Sequence, residues 1–230
     1  MKRFYEQATV AGGDTAWSVM LDGRSVKTPA RQALTVPYRQ LAEALAAEWQ
    51  AQPDEIDPAT MPLARLTNTA LDRTARLRQQ VIEEVASYGQ SDLLCYRAAT
   101  PEELVERQDR EWQPILDWLA DLYAAPLAVT TDIAPLEQSN DSLLAIYSAV
   151  ARQNDFGLTG LHAATMICGS VALALALFDG RIDAAEASAC ALLDERYQAE
   201  RWGVDADSQV RWKAQDAELS AIAKFLSLVQ

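Results

Sequence analysis

The chain has 230 residues, of which 50% are hydrophobic and 23% charged, and its formal net charge is −13. This hydrophobic fraction is enough for a sizeable core, so the composition excludes intrinsically disordered, collagen-like and low-complexity proteins. The acidic excess argues against a nucleic-acid-binding protein, because neutralising phosphate groups requires a basic surface.

The first 36 residues have the composition of β-strands. Aromatic and β-branched residues predict short strands over residues 4–10, 17–21, 25–27 and 33–36. Asp22 and Gly23 lie between the second and third of these segments and predict a two-residue hairpin turn, because both central positions of that turn need a positive φ. We expect these two residues to have a structural role.

The hydrophobic period changes to that of a helix after Pro37. Leu41, Leu45 and Trp49 recur every four residues, which predicts a helix from Pro37 to Gln50. Three prolines follow within residues 53–62 and predict an extended linker. We therefore predict an α+β fold class, with a small β-rich domain at residues 1–55 and an all-helical domain at residues 56–230.

Helical periodicity continues through most of the chain after Pro62. Thr100 is the predicted N-cap of a helix that runs to about Tyr123. Within this helix, Pro114 predicts a kink or a division. The other predicted helices cover residues 63–88 (as one helix or two), 139–152, 183–200 and 205–228.

The segment Leu158–Phe178 is 21 residues long and carries no charged residue apart from an ionisable His162. Its length is sufficient to span a bilayer, which leaves a membrane-associated scaffold as one interpretation. The segment is rich in small residues, however, and no basic cluster or aromatic belt flanks it. We therefore favour a buried central helix without stable membrane insertion, in which His162 is a core residue.

The usual signatures of catalysis and cofactor binding are missing from the sequence. His162 is the only histidine, and neither a P-loop motif nor a dinucleotide-binding glycine motif occurs. Neighbouring carboxylates such as Glu83 and Glu84 point about 100° apart on a helix and do not form a shared acid–base pair. We expect no catalytic residue, metal or cofactor. A carboxylate-dependent hydrolase or isomerase, with its site in a helical cleft, is the alternative.

The cysteines and the N-terminus bear on the compartment. Cys95, Cys168 and Cys190 form no CxxC pair, which is typical of reduced, buried thiols in a cytosolic protein. The first residues show neither a secretory signal nor an organelle import sequence. We therefore expect the bacterial cytoplasm, or a mature chain from which a leader has been left out.

Large aromatic residues lie among acidic residues near the end of the chain. Trp202 precedes Gly203 at a predicted helix junction, where we expect its ring to be partly exposed. Tyr197 and Glu200 lie within the two preceding helical turns. An aromatic and acidic surface suits a partner with an apolar and basic patch.

Seven motifs occur in order along the chain. They are Arg3-Phe4-Tyr5, LDGRSVKTP (Leu21–Pro29), AEW (Ala47–Trp49), MPLARLTNTALD (Met61–Asp72), SDLLCYR (Ser91–Arg97), WQPILDW (Trp112–Trp118) preceded by Gln108, and YQAERWG (Tyr197–Gly203). With these motifs the chain resembles the assembly chaperones for the catalytic head of the F-type ATP synthase, specifically those that attend its alpha subunit. The resemblance implies a two-layer N-terminal α+β domain followed by an orthogonal helical bundle, in agreement with the prediction from periodicity.

The resemblance also implies a function without catalysis. Such a chaperone holds the free alpha subunit against aggregation until the beta subunit displaces it. We expect the protein to be monomeric when free and to need no cofactor. Organellar relatives would act in the mitochondrial matrix.

The resemblance places partner-binding residues in two segments. The first is Trp49 in the AEW motif, for which we favour a structural role at the seam between the two domains. In the second, Val204 stands where relatives often carry an acid, and the predicted binding residues are Glu195, Tyr197, Glu200, Trp202, Asp205 and Asp207. In the motif SDLLCYR we predict a structural ion pair between Asp92 and Arg97.

Overall fold

The computed structural model describes residues 1–230 and contains one small sheet and ten α-helices. The strands are β1 (Ala8–Gly12), β2 (Trp17–Leu21), β3 (Arg24–Ser25) and β4 (Thr35–Val36). All pairings are antiparallel, and β2 is central because it pairs with each of the other three strands. The predicted strand at residues 17–21 therefore forms the middle of the sheet.

The turn between β2 and β3 is the two-residue hairpin turn that the sequence predicts. Asp22 and Gly23 have φ values of 46° and 78°, and Leu21 pairs with Arg24 across the turn. The Asp22 carboxylate also accepts a hydrogen bond of 2.9 Å from the backbone N–H of Gln7. Asp22 therefore ties the segment before β1 to the hairpin, in addition to forming the turn.

Ten α-helices follow or flank the sheet. They are α1 (Arg39–Gln50), α2 (Pro62–Thr69), α3 (Arg78–Ser87), α4 (Glu102–Tyr123), α5 (Asn140–Ala151), α6 (Asp155–Cys168), α7 (Val171–Phe178), α8 (Ala184–Ala191), α9 (Leu193–Trp202) and α10 (Ala206–Ser227). The predicted α+β fold class with a helical C-terminal part is confirmed. Two of the predicted helices are each divided in the structure: residues 63–88 by a π-turn at Ala70–Thr74, and residues 183–200 at Leu192.

The start and the middle of α4 differ from the prediction. Pro101, and not Thr100, is the residue before the helix, and no side chain caps it. The helix continues through Pro114 without a division. Pro114 lies on the exposed face of the helix, where the carbonyl group that loses its N–H partner is open to water.

The core is one cluster of 51 buried hydrophobic residues that includes Val19 of the sheet, Leu45 of α1 and Leu161 of α6. Polar contacts also cross the predicted boundary near residue 55. The Glu48 carboxylate of α1 accepts hydrogen bonds of 2.8 Å from the first free N–H groups of α2, and Asp72 accepts one of 2.7 Å from the Thr28 hydroxyl. The motif residues Thr28 and Asp72 thus hold the two parts of the chain together, and the division into two domains stays a prediction.

The apolar segment Leu158–Phe178 is buried, but it forms two helices and not one. Gly169 has a φ of 64° and ends α6, and the Ser170 hydroxyl accepts a hydrogen bond from the first turn of α7. None of the ten helices combines the length and apolarity needed to cross a membrane. His162 is mostly buried, and its Nε2 lies 3.0 Å from the carboxylate of Glu84 on α3. It therefore has a polar partner in the core.

The predicted ion pair between Asp92 and Arg97 is wrong. Asp92 is fully buried, and its carboxylate accepts hydrogen bonds of 3.0 Å from the backbone N–H groups of Leu94 and Ala172. Arg97 instead donates to the carboxylate of Asp109 at 2.9 Å. Backbone N–H groups at the start of α7 satisfy the buried acid without a second charge. Burial raises the pKa of Asp92, and these hydrogen bonds oppose that change.

Candidate functional site

The candidate site lies at the corner between α9 and α10. Gly203 follows the last residue of α9 with a φ of 88° and a ψ of 154°, a conformation that is essentially restricted to glycine. Asp205 then begins the next helix, since its carboxylate accepts a 2.8 Å hydrogen bond from the N–H of Ser208. This tight corner leaves the ring of Trp202 78% exposed, as the sequence predicts for a residue at a helix junction.

A pocket of about 280 Å³ lies beside Trp202. Its lining combines aromatic, aliphatic and charged groups. Among the lining residues are Glu195, Trp202, Val204, Asp205, Arg211 and Trp212. The volume is at the lower limit of small-molecule pockets. A recess of this size and composition is suited to one side chain of a protein partner. We call this pocket and the exposed residues around it the α9–α10 corner.

Two of the predicted acidic residues of the corner are held in ion pairs. Glu195 accepts hydrogen bonds from Arg211 at 2.6 Å and from the indole N–H of Trp212 at 2.9 Å. Glu200 accepts a hydrogen bond of 2.7 Å from Arg107 of α4. The sequence gives no signal for the contact with Arg107, which lies 93 residues away in the chain. Much of the negative charge that the sequence indicates is therefore neutralised locally.

The remaining acids differ from each other. The Asp205 carboxylate accepts hydrogen bonds from the hydroxyl and the backbone N–H of Ser208, which hold its pKa below the usual value. Asp207 is exposed in the first turn of α10 and makes no ion pair. Val204 is 37% exposed and adds apolar surface next to Trp202. The corner thus combines exposed apolar groups, Trp202 and Val204, with charged groups, and Asp207 is its free carboxylate.

Tyr197 is buried beneath the corner, which differs from the prediction that it contacts the partner. Only 3% of the residue is exposed, and the guanidinium groups of Arg107 and Arg201 lie over its ring at 5.2 and 4.6 Å. Tyr197 precedes Trp202 by five positions, which places the two rings about 140° apart around the helix. One ring therefore faces the interior and the other faces solvent.

Trp49 is not part of the corner. Its side chain is half-buried at the end of α1, and its ring packs edge-on against Tyr5 with 5.9 Å between centroids. The Tyr5 hydroxyl donates a 2.6 Å hydrogen bond to the carbonyl oxygen of Trp49, whereas the buried indole N–H has no hydrogen-bond partner. The structure therefore joins Trp49 to the N-terminal segment and does not bring the two predicted binding segments together.

Comparisons with known proteins indicate one family. A family model described as ATP12 chaperone protein matches residues 2–120. The solved structure of Atp12 from Paracoccus denitrificans is 39% identical and an aspartate-to-lysine mutant of that protein is 38% identical; each match covers 100% of this chain and 98% of the other, with a TM-score of 0.95. The mitochondrial protein atp12 of Schizosaccharomyces pombe is 22% identical over 214 residues, which are 88% of this chain and 74% of that protein. The structural matches therefore include the α9–α10 corner, which lies outside the segment that the family model matches.

Proposed function

We propose that this chain, which belongs to the ATP12 chaperone family, binds the free alpha subunit of the F-type ATP synthase and prevents its aggregation until the beta subunit displaces it. An unassembled subunit exposes an interface that aggregates unless it is covered. The covering protein must bind well enough to protect, and must lose to the true partner by mass action. We propose that it acts as a monomer in the bacterial cytoplasm.

The exposed ring of Trp202 is the observation that carries this proposal at the level of residues. A tryptophan that is 78% exposed contributes little to the stability of its own fold. Tryptophan is also among the residues that most often dominate the energy of protein interfaces. The backbone that carries Trp202 is fixed by the Gly203 turn and by the cap of α10, so the residue is already presented to solvent before a partner arrives.

The surroundings of Trp202 indicate what the partner surface should contain. Val204 is 37% exposed, lines the same pocket and adds apolar surface beside the indole ring. Asp207 supplies the free negative charge. A complementary surface would therefore accept an indole ring and place a lysine or arginine near Asp207.

The alternative, a carboxylate-dependent hydrolase or isomerase, has less support at this corner. General acid catalysis by a carboxyl group needs a pKa raised toward neutrality. Both carboxylates that line the pocket are engaged instead, since Glu195 binds Arg211 and Trp212, and Asp205 caps α10 with a lowered pKa. This geometry favours a binding surface.

The test is light scattering of purified alpha subunit under mild heat, with and without this protein at a near-stoichiometric ratio, followed by addition of beta subunit. We expect suppression of aggregation and release by the beta subunit. The Trp202→Ala variant should protect poorly at an unchanged melting temperature, because the ring is exposed. No suppression, together with no complex on a sizing column, would exclude the proposed function.

Charge is tested with a matched pair of variants. Asp207→Lys reverses the free carboxylate of the corner, and Asp121→Lys makes the same change at an exposed position of α4 that has no ion pair. Reversal of Glu200 is less informative, because it also breaks the contact with Arg107. We expect weaker protection from Asp207→Lys alone. Equal protection by both variants would remove the charge of the corner from the proposal.

A further inference from the structure

A groove lies between the end of α3 and the first half of α5. It consists of two adjoining depressions of about 850 and 490 Å³, both of which are lined by Ser87, Gln90, Asn140 and Leu143. The groove is separate from the α9–α10 corner, because α6 packs against α3 and also against α10. We call it the α3–α5 groove.

One wall of the groove is formed where the turn after α3 packs closely on side chains of α5. Gly89 lies in this 3₁₀ turn, and a Cβ atom at this position would lie 3.0 Å from Ile146 Cδ1 and 3.2 Å from Leu143 Cδ2. The backbone of the turn therefore sits directly on two α5 side chains, which would have to shift to admit a larger residue. The width of the groove at this end is set by this contact.

The opposite wall is the segment 135–140, which leads into α5. The Gln138 side chain forms hydrogen bonds of 2.8 and 2.9 Å with the N–H and C=O groups of Ala128. The backbone N–H of Leu136 donates to the Tyr96 hydroxyl at 3.3 Å. Because both walls are held by contacts within the chain, the groove is formed without an occupant.

The chemistry of the lining suits an extended peptide. Leu143, Leu144 and Tyr147 provide an apolar surface, and Leu144 is 63% exposed. The side chains of Gln90 and Asn140 line both depressions and make no hydrogen bond within the protein. An amide side chain offers a donor and an acceptor together, which match the C=O and N–H groups of a peptide main chain.

The charges of the lining have one sign. Glu137 lines the first depression and Glu83 the second, and no lysine or arginine lines either one. Charge complementarity therefore favours a cationic occupant. The α9–α10 corner differs in this respect, because Arg211 lines its pocket.

We propose that the α3–α5 groove binds an extended segment of the client protein that carries apolar side chains together with a lysine or arginine. The identity of the client rests on the proposed function, in which it is the alpha subunit. The apolar side chains of the segment lie on Leu143, Leu144 and Tyr147, and the amide groups of Gln90 and Asn140 bind its main chain. The cationic side chain lies near Glu83 or Glu137.

Site-directed photo-crosslinking tests this proposal. Burial raises the pKa values of the three native thiols to about 12, so a maleimide at neutral pH modifies an introduced cysteine selectively. A benzophenone maleimide is attached to Leu144→Cys in the groove, to Val204→Cys at the α9–α10 corner, and to Leu122→Cys. The last is a matched control, since Leu122 is 59% exposed on α4 and lines neither site. Each protein is irradiated with purified alpha subunit, and the crosslinked segment is identified by mass spectrometry.

We expect position 144 to crosslink several-fold more alpha subunit than position 122, within a segment that contains apolar residues and a lysine or arginine. Equal yields at positions 144 and 122, with efficient crosslinking at position 204, would overturn the groove proposal and leave the proposed function intact. Crosslinks from position 144 to a second copy of this chain would also overturn it. No crosslink to alpha subunit from any position would overturn the proposed function and the groove proposal together.

A second variant tests the charge argument. The double substitution Glu83→Lys and Glu137→Lys changes two exposed residues, and we expect it to lower the crosslinking yield from position 144 several-fold at an unchanged melting temperature. The yield from position 204 provides the internal control. An unchanged yield from position 144 would exclude a cationic segment as the occupant.

Discussion

Replacement of Asp92 by alanine is expected to destabilise the protein strongly. The residue lies in the motif SDLLCYR, in which no residue is predicted to contact a partner protein. The side chain is fully buried, and its two oxygens accept hydrogen bonds of 3.0 Å from the backbone N–H groups of Leu94 and Ala172. Alanine leaves both N–H groups without a partner in a place that is closed to water. Asp92 joins the 3₁₀ turn at Leu93–Cys95 to the start of α7, so the loss affects two elements of the core.

The size of the effect follows from these two contacts. A buried N–H group that loses its partner costs about 1–3 kcal/mol, so we expect a loss of about 3–5 kcal/mol in the free energy of unfolding. For a chain of this length, such a loss lowers the melting temperature by about 10 °C. Asp92→Asn keeps one acceptor oxygen and the shape of the side chain, and we expect about half of the loss.

Urea unfolding followed by circular dichroism measures these free energies. Asp207→Ala is the control, because Asp207 is exposed without an ion pair, and we expect a change within about 0.5 kcal/mol. A loss below about 1 kcal/mol for Asp92→Ala, with an unchanged urea dependence, would refute the assignment of Asp92 as a buried cap.

Three further predictions concern other parts of the chain. Trp49→Ala should cost about 1–3 kcal/mol in urea unfolding because the ring is half-buried, whereas Trp49→Phe should cost less because it removes an indole N–H that has no partner. The Gln80 amide, and after it the His162 ring, hold the pKa of Glu84 below its usual value. The Glu84 carboxylate therefore stabilises the fold above about pH 4.3, and this contribution disappears as the pH falls through the lowered native pKa. Glu84→Gln should cost up to about 1 kcal/mol at pH 7 and less at pH 3.5, and an equal cost at both values would contradict the role of the charge. Finally, the native protein should react very slowly with a thiol reagent at pH 8, because burial raises the pKa values of Cys95, Cys168 and Cys190 to about 12. The unfolded protein exposes these thiols and should react at once with three equivalents of the reagent.

Features with a local cause were predictable from the sequence. The hairpin turn needs only Asp22 and Gly23, and the helix α10 begins at the capping Asp205, two positions after Gly203. The division of the apolar segment between α6 and α7 also has a local signal. Gly169 ends one helix and Ser170 caps the next, so the two residues together predict a division. The prediction of a single helix follows only the length of the apolar segment and disregards these two residues.

Features that depend on distant residues were not predictable. Proximity in the sequence predicts that Asp92 pairs with Arg97. In the structure its carboxylate instead accepts a hydrogen bond from the N–H of Ala172, which lies 80 residues away. Glu200 was assigned to an acidic surface because its partner Arg107 lies on another helix. In both cases the sequence shows that charged residues are present in a short segment. Contacts with residues far away in the chain then determine which of these charges remain without a partner. The free carboxylate at the α9–α10 corner is consequently Asp207 and not the whole acidic segment.

The two proposed binding surfaces share a physical property that is relevant to a chaperone. The α9–α10 corner is set by the Gly203 turn and the cap of α10, and the α3–α5 groove is set by the contact of Gly89 with α5. A surface that is formed in advance loses little conformational entropy when it binds. Two small, separate contacts can therefore hold a client without a large interface. While one contact is made, it keeps the client at a high effective concentration near the other, and a competitor that covers one contact removes this advantage. Displacement by a subunit that competes for only part of the surface is then sufficient for release.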